Sequence, residues 1–188
     1  FSKVYIKLHF PLTLYGETAL LDWGWFKILF VENKGMAWGT KLNDILPFIQ
    51  ERTGKLILTL FRVLVVPIIF YWLYDSIRKN TNKLLPFCLS LILAGALGNI
   101  LDSVFYGYLF TDSYYNIASF SPGNGYDSFL HGNVVDMLQF PMFTWEWPVW
   151  MPYIGGNEFT FFEPVFNIAD SAISVGVGIM LVFNKRIF

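Results

Sequence analysis

The chain has 188 residues; 55% are hydrophobic, 20% aromatic and only 14% charged, with a mean hydropathy of +0.48. Soluble domains carry about 25% charged residues, so the composition excludes an ordinary soluble domain and describes a membrane protein. The formal net charge of −1 says nothing about partners, but nucleic acid binding would need a basic surface, and there is none.

In chain order, the opening Phe1–Phe10 is too short and too basic to span a bilayer, and there is no initiator Met. It reads as the end of a first helix whose upstream part is missing, with its lead-in running to residue 19. Leu20–Thr40 alternates apolar and polar residues around Trp23, Trp25, Phe26 and Ile28–Val31. That pattern predicts strands with a turn at Asn33–Gly35, a small sheet lying on the membrane surface. Asp44–Glu51 is expected to be a short helix. Three stretches approach the ~20 apolar residues needed to cross the hydrocarbon: Leu56–Tyr74, Leu84–Leu101 and Pro164–Phe183. Arg62 is a charge inside the first of these, expected to snorkel or to pair with a carboxylate. Cys88, the only cysteine, lies in an apolar run and is expected in the core.

All 13 Lys and Arg lie before Leu84 or after Asn184. The basic link Asp75–Lys83 and the basic C-terminus are therefore assigned to the cytoplasm, and Asp102–Glu163 to the other side. This outer stretch begins with a Tyr-, Ser-, Asn- and Gly-rich loop, Tyr106–Gly132. It continues into Phe140–Tyr153, where Phe143, Trp145, Trp147, Trp150 and Tyr153 stand beside three prolines. Trp and Tyr concentrate at the headgroup level, so this part reads as an interfacial flap.

Within Pro164–Phe183 stands Asp170, where an ionisable group is expensive: about 2.5–3.5 kcal/mol at a membrane helix centre. Asn167, Ser171 and Ser174 share its helical face. Asn99 and Asp102 share a face at the end of the second span, beside Gly95, Ala96 and Gly98, and Asp136 sits in the short apolar run Val134–Met137. Two carboxylates brought close cannot both ionise, and share a proton. One can then act as base on a water while the other polarises a scissile carbonyl. No metal site is expected, since His9 and His131 are isolated, and no serine-nucleophile signature occurs. On these residues alone, an aspartyl hydrolase, a proton-coupled carrier and a scaffold all remain open.

Gly98-Asn99-Ile100-Leu101-Asp102, Val134-Val135-Asp136-Met137 and Phe166-Asn167-Ile168-Ala169-Asp170-Ser171 together resemble lipoprotein signal peptidase (signal peptidase II), a bacterial intramembrane aspartyl protease family. Asn33-Lys34-Gly35-Met36-Ala37-Trp38-Gly39 is similar to the family's Asn-x-Gly-Ala-Ala-Phe stretch, and Ser2-Lys3 to the end of its first-helix motif. The resemblance implies a mainly α, polytopic protein with a four-helix transmembrane domain, both termini cytoplasmic, a small extracytoplasmic β-cradle and a long aromatic periplasmic loop. It implies catalysis by Asp136 and Asp170, support from Asn99, Asp102 and Asn167, and substrate contact by Asn33 and Gly35. The implied reaction removes the signal peptide from a diacylglyceryl-modified prolipoprotein, just before the lipidated cysteine, without cofactor or metal. The implied setting is the bacterial inner membrane, among membrane lipids, as a monomer with its active site near the extracytoplasmic face. The alternative is a non-enzymatic membrane protein, such as a proton-coupled carrier using Asp170.

Residues 1–188 then form one membrane domain, divided into 1–19 (end of the first helix and lead-in), 20–55 (cradle and short helix), 56–74 and 84–101 (spans), 102–163 (outer loop with insertion and flap) and 164–183 (last span). Two departures from the family pattern stand out. Ser103 occupies the position where the family usually has Arg, with Arg62 or Lys34 as substitutes. The 33 residues between Asp102 and Asp136 make Tyr106–Leu130 an insertion relative to shorter members.

Overall fold

The computed structural model describes residues 1–13, 19–35 and 42–187, without the side chain of Asn43. The chain runs through α1 (Ser2–His9), β1 (Leu21–Asp22), β2 (Lys27–Asn33), α2 (Leu42–Ile45), α3 (Glu51–Arg78) and α4 (Leu84–Leu101). A π-helical turn, Asp102–Tyr106, and α5 (Gly107–Leu109) prolong α4. After a long loop come β3 (Val134–Gln139), β4 (Phe143–Glu146), β5 (Glu158–Phe161), α6 (Ile168–Val182) and α7 (Asn184–Ile187).

Among the described residues two helical segments are long and apolar enough to cross a membrane, Glu51–Arg78 and Leu84–Leu109, and Ile168–Val182 is a shorter apolar helix. Helix α3 leaves Phe61, Leu64, Ile68, Phe70 and Tyr71 exposed, an outward apolar face suited to lipid rather than water. Helix α4 is the centre, packing against both α3 and α6. Its approach to α6 depends on missing side chains: a Cβ at Gly95 would lie 2.3 Å from the Ala169 carbonyl oxygen, and one at Gly176 would lie 2.8 Å from Ile92. Small residues at such crossings let backbones touch.

The expected sheet is present, but its geometry differs in two respects. The turn joining β1 to β2 lies at Trp23–Phe26, where the Trp23 N–H donates to the Phe26 carbonyl, not at Asn33–Gly35. At Asn33–Gly35 the chain bends instead, the Gly35 N–H donating to Asn33 Oδ1 at 2.9 Å. The main partner of β2 is β3, antiparallel, in the order β1-β2-β3. Residues 36–40 of the expected strand region lie outside the described residues. The short helix is Leu42–Ile45 rather than Asp44–Glu51, and Glu51 already begins α3.

The last span is also shorter than the hydropathy pattern. Phe166 bridges to Leu138 as extended chain, and the helix starts only after Asn167. Consequently Asp170 sits in the first turn of α6, not near the middle of a span.

The loop expected to be an insertion, Tyr106–Leu130, is packed against the rest of the chain. Phe110 and Tyr106 join Ile6, Phe30, Val135 and Met137 in one core, and Leu12 bridges to Tyr114. Arg52 pairs with Asp127 at 3.0 Å. Gly132 is required where the loop returns beneath the π-helical turn, since a Cβ there would lie 1.9 Å from the Asp102 carbonyl oxygen. The stretch expected to be a flap contains the β4–β5 hairpin, with Val149, Trp150 and Tyr153 exposed at its tip. Cys88 is fully buried between α4 and the C-terminal helix.

Candidate active site

Side chains alternate faces along a strand. In the β2–β3 register Val31 opposes Asp136, Glu32 opposes Val135 and Asn33 opposes Val134. Asn33 and Asp136 therefore share one face as diagonal neighbours, and Asn33 Nδ2 donates to Asp136 Oδ2 at 3.2 Å. Glu32 and Val135 point to the other face.

Asn167 joins the two carboxylates. Its Nδ2 donates to Asp136 Oδ1 at 2.7 Å. Its Oδ1 accepts from the Asp170 N–H at 3.0 Å, while its own N–H donates to Asp170 Oδ2 at 3.2 Å. This is a reciprocal capping box: the residues that start α6 also orient Asp170 and tie it to β3. The other oxygen of Asp170 accepts from Asn99 Nδ2 at 2.7 Å. Ser171 takes no part in the pair; its hydroxyl donates back to the Asn167 carbonyl.

Asp102 forms the floor. It accepts from Lys3 Nζ at 2.6 Å and from the Val135 N–H at 3.1 Å, fixing the strand that carries Asp136. Lys3 Nζ also donates to Asn99 Oδ1 at 2.7 Å. All seven residues singled out from the sequence are thus linked through hydrogen bonds. Asn167 and Asp102 are fully buried and Asp136 is only 3% exposed. Burial, and less strongly the charge of Asp170, pushes the Asp136 carboxyl up to about 6, against the opposing pull of the Asn167 and Asn33 amides.

Sequence reasoning missed the cations. Lys3 was visible only as part of a motif, yet it spans Asp102 and Asn99. Lys7, one helical turn on, is completely buried; it bonds Glu32 and donates to Ser113 Oγ at 2.7 Å. Glu32 also accepts from Asn133 Nδ2 at 2.7 Å, so this second cluster locks the insertion to α1 and the sheet. The i, i+4 spacing of the two lysines was the available signal. Arg62 meets Ser103, its Nη1 donating to Oγ at 2.9 Å; Lys34 is exposed.

A membrane-type helical frame with two carboxylates bridged by a buried amide has the makings of an aspartyl hydrolase. The signal peptidase (SPase) II family model matches residues 1–121 and 111–185. The chain belongs to that family of aspartic-type membrane peptidases, which decides against the carrier. It is 47% identical over 164 residues to the lipoprotein signal peptidase of Porphyromonas gingivalis (strain ATCC 33277), covering 86% of this chain and 68% of that protein. It is 32% identical over 185 residues to the lipoprotein signal peptidase of Amoebophilus asiaticus, covering 98% and 71%. A solved bacterial membrane enzyme, determined by the in meso method at 2.3 Å, shares the fold with a TM-score of 0.57 and 22% identity, over 98% of this chain and 79% of that one.

Proposed function

We propose that this peptidase removes the signal peptide from diacylglyceryl-modified prolipoproteins, cutting just before the lipidated cysteine, with Asp136 and Asp170 as its aspartyl pair. The observation that carries this reading is Asn167, which bonds both carboxylates at once. The relatives' name, lipoprotein signal peptidase, supplies the substrate class.

The two environments divide the labour. Asp136 is buried and pushed up to about 6, so it is the member that keeps the shared proton. Asp170 stands in the first turn of a helix, where the dipole favours negative charge. In this mechanism Asp170 takes a proton from water as the water oxygen attacks the scissile carbonyl carbon, and Asp136 gives its proton to the carbonyl oxygen. Collapse of the resulting diol returns a proton to Asp136. Asp170 then protonates the leaving amine, which is the lipidated cysteine. Asn99, Asp102 and Asn167 position the pair, and Asn33 and Gly35 contact the peptide.

The proposed setting is the bacterial inner membrane, with four spanning helices of which α1 ends the first, and with the division into segments given above. The basic link and basic C-terminus support a pair at the extracytoplasmic face, where the scissile bond would leave the hydrocarbon while its diacylglyceryl group stays among the lipids. The unit is a monomer. Asp136→Asn and Asp170→Asn, each folded, are expected to lose cleavage of lipidated precursor by at least about 1,000-fold. Retention of cleavage by either variant would remove that residue from the pair.

A further inference from the structure

The β4–β5 ribbon has two unlike faces. In its register Phe143 opposes Phe161 and Trp145 opposes Phe159, while Thr144 opposes Thr160 and Glu146 opposes Glu158. Side chains alternate faces along a strand, so rings fill one face, and threonines and carboxylates the other. The rings meet one another. Phe143 stacks on Phe161 with centroids 5.0 Å apart, and Trp145 lies 4.6 Å from Phe159 and 5.4 Å from Trp147. On the polar face the Thr144 and Thr160 hydroxyls share a hydrogen bond of 3.0 Å. Phe143, Phe159 and Phe161 nevertheless remain exposed, and a two-stranded ribbon is marginal by itself. A contiguous aromatic face of this kind calls for a cover.

Two observations identify that cover as lipid. The first is continuity. From the ribbon the rings pass through Phe162, 6.5 Å from Phe161, to Phe166, 5.8 Å further on. Phe166 directly precedes Asn167, the cap of α6, so the row reaches the end of an apolar helix on which Ile168 and Val175 are exposed. It continues from Phe166 to Phe140 at 5.8 Å, and from Phe140 to Phe26 at 5.0 Å, in the β1–β2 turn beside the exposed Trp23 and Trp25. A row of rings level with the polar end of an apolar helix is the pattern of a membrane–water interface. The second observation is charge. No charged residue stands between Glu146 and Glu158, and no Lys or Arg from Leu84 to Asn184. The ribbon thus has no cation for an acidic partner or an anionic headgroup, but it has an uncharged tip and a carboxylate face that can stay in water.

We propose that the β4–β5 hairpin docks its aromatic face and its tip in the headgroup layer of the bilayer, at the level of the aspartate pair, by ring insertion without need of anionic lipid. The docking does not depend on the peptidase reading.

The test is spin-label accessibility in protein reconstituted in phosphatidylcholine vesicles, with no precursor present. Labels are placed at Trp150→Cys and Phe161→Cys on the aromatic side and at Glu146→Cys and Glu158→Cys on the polar side; Cys88 is fully buried and stays unlabelled. Collisions with a water-soluble nickel chelate, relative to those with dissolved oxygen, are expected to be about fivefold rarer on the aromatic side. Trp150→Phe supplies a second measurement that keeps the ring: it removes part of the tryptophan emission quenched by lipid brominated just below the headgroup. Equal nickel access on the two sides, or an unchanged quenched fraction in Trp150→Phe, overturns the proposal. Protection that appears only when precursor is added overturns it too and gives the face to the peptide. Protection that grows with the protein-to-lipid ratio gives it to a second copy, and protection that needs anionic lipid contradicts ring insertion.

Discussion

Asn167 carries three tasks with one side chain and one N–H: it caps α6, orients Asp170 and satisfies Asp136. Removing it separates stability from activity. Asn167→Ala loses a cap worth about 1 kcal/mol, a fall of a few degrees in melting temperature, but it also strips Asp136 of its shorter amide bond. Cleavage is expected to drop by about 100-fold or more; a loss below threefold in a folded variant contradicts the bridging role. Asp136 gives a second handle. Its folded pKa is raised, so the native state binds the proton more tightly than the unfolded chain. Stability contributed by that protonated carboxyl is present below the ordinary aspartate value of 3.8 and is lost as pH rises through about 6. Melting curves between pH 4 and 7 should therefore show a downward component with pH that Asp136→Asn abolishes. An unchanged slope in the variant contradicts the buried, proton-holding assignment.

At the scale of elements, the contact of α4 with α6 sets the site, because Ala169, whose carbonyl would meet a Cβ at Gly95 at 2.3 Å, directly precedes Asp170. Gly95→Val must push the helices apart and draw Asp170 from Asn99. At least a tenfold loss of cleavage is expected, whereas Gly178→Ala, with nothing within 4 Å of its added Cβ, should be neutral. Equal activity in the two variants would show that the spacing does not matter. The second helical segment runs on to Leu109, but its start at Leu84 was legible, since the apolar run meets no competing turn signal there. The last span was not: Phe166 and Asn167 are as compatible with a helix as with what they form, and the bridge to Leu138 that holds them extended comes from another part of the chain. The hairpin turn failed for a similar reason. Asn33–Gly35 has turn chemistry and does bend, but β2 pairs with the far-off β3, Asn33 opposite Val134, and local pattern cannot select so distant a partner.

For the whole molecule, composition sufficed to place the chain among membrane proteins, as its family is. The carboxylates and amides of the site were legible because polar groups in apolar runs are expensive and must be explained. The cations that balance them were not, since Lys3 and Lys7 sit in a segment legible only as a helix end too basic to span, which says nothing of where the two lysines point. Only the fold shows that Lys7 is buried and that the loop carrying Ser113 is locked to α1 and the sheet. The central claim, that this pair cuts a lipidated precursor just before its cysteine, is tested most directly by mass analysis of the products. Purified protein in lipid vesicles would be given matched precursors with and without the diacylglyceryl group. The expected result is a new N-terminus at the lipidated cysteine from the modified precursor and little product from the other. Cleavage elsewhere, or none by a folded protein, would contradict the account.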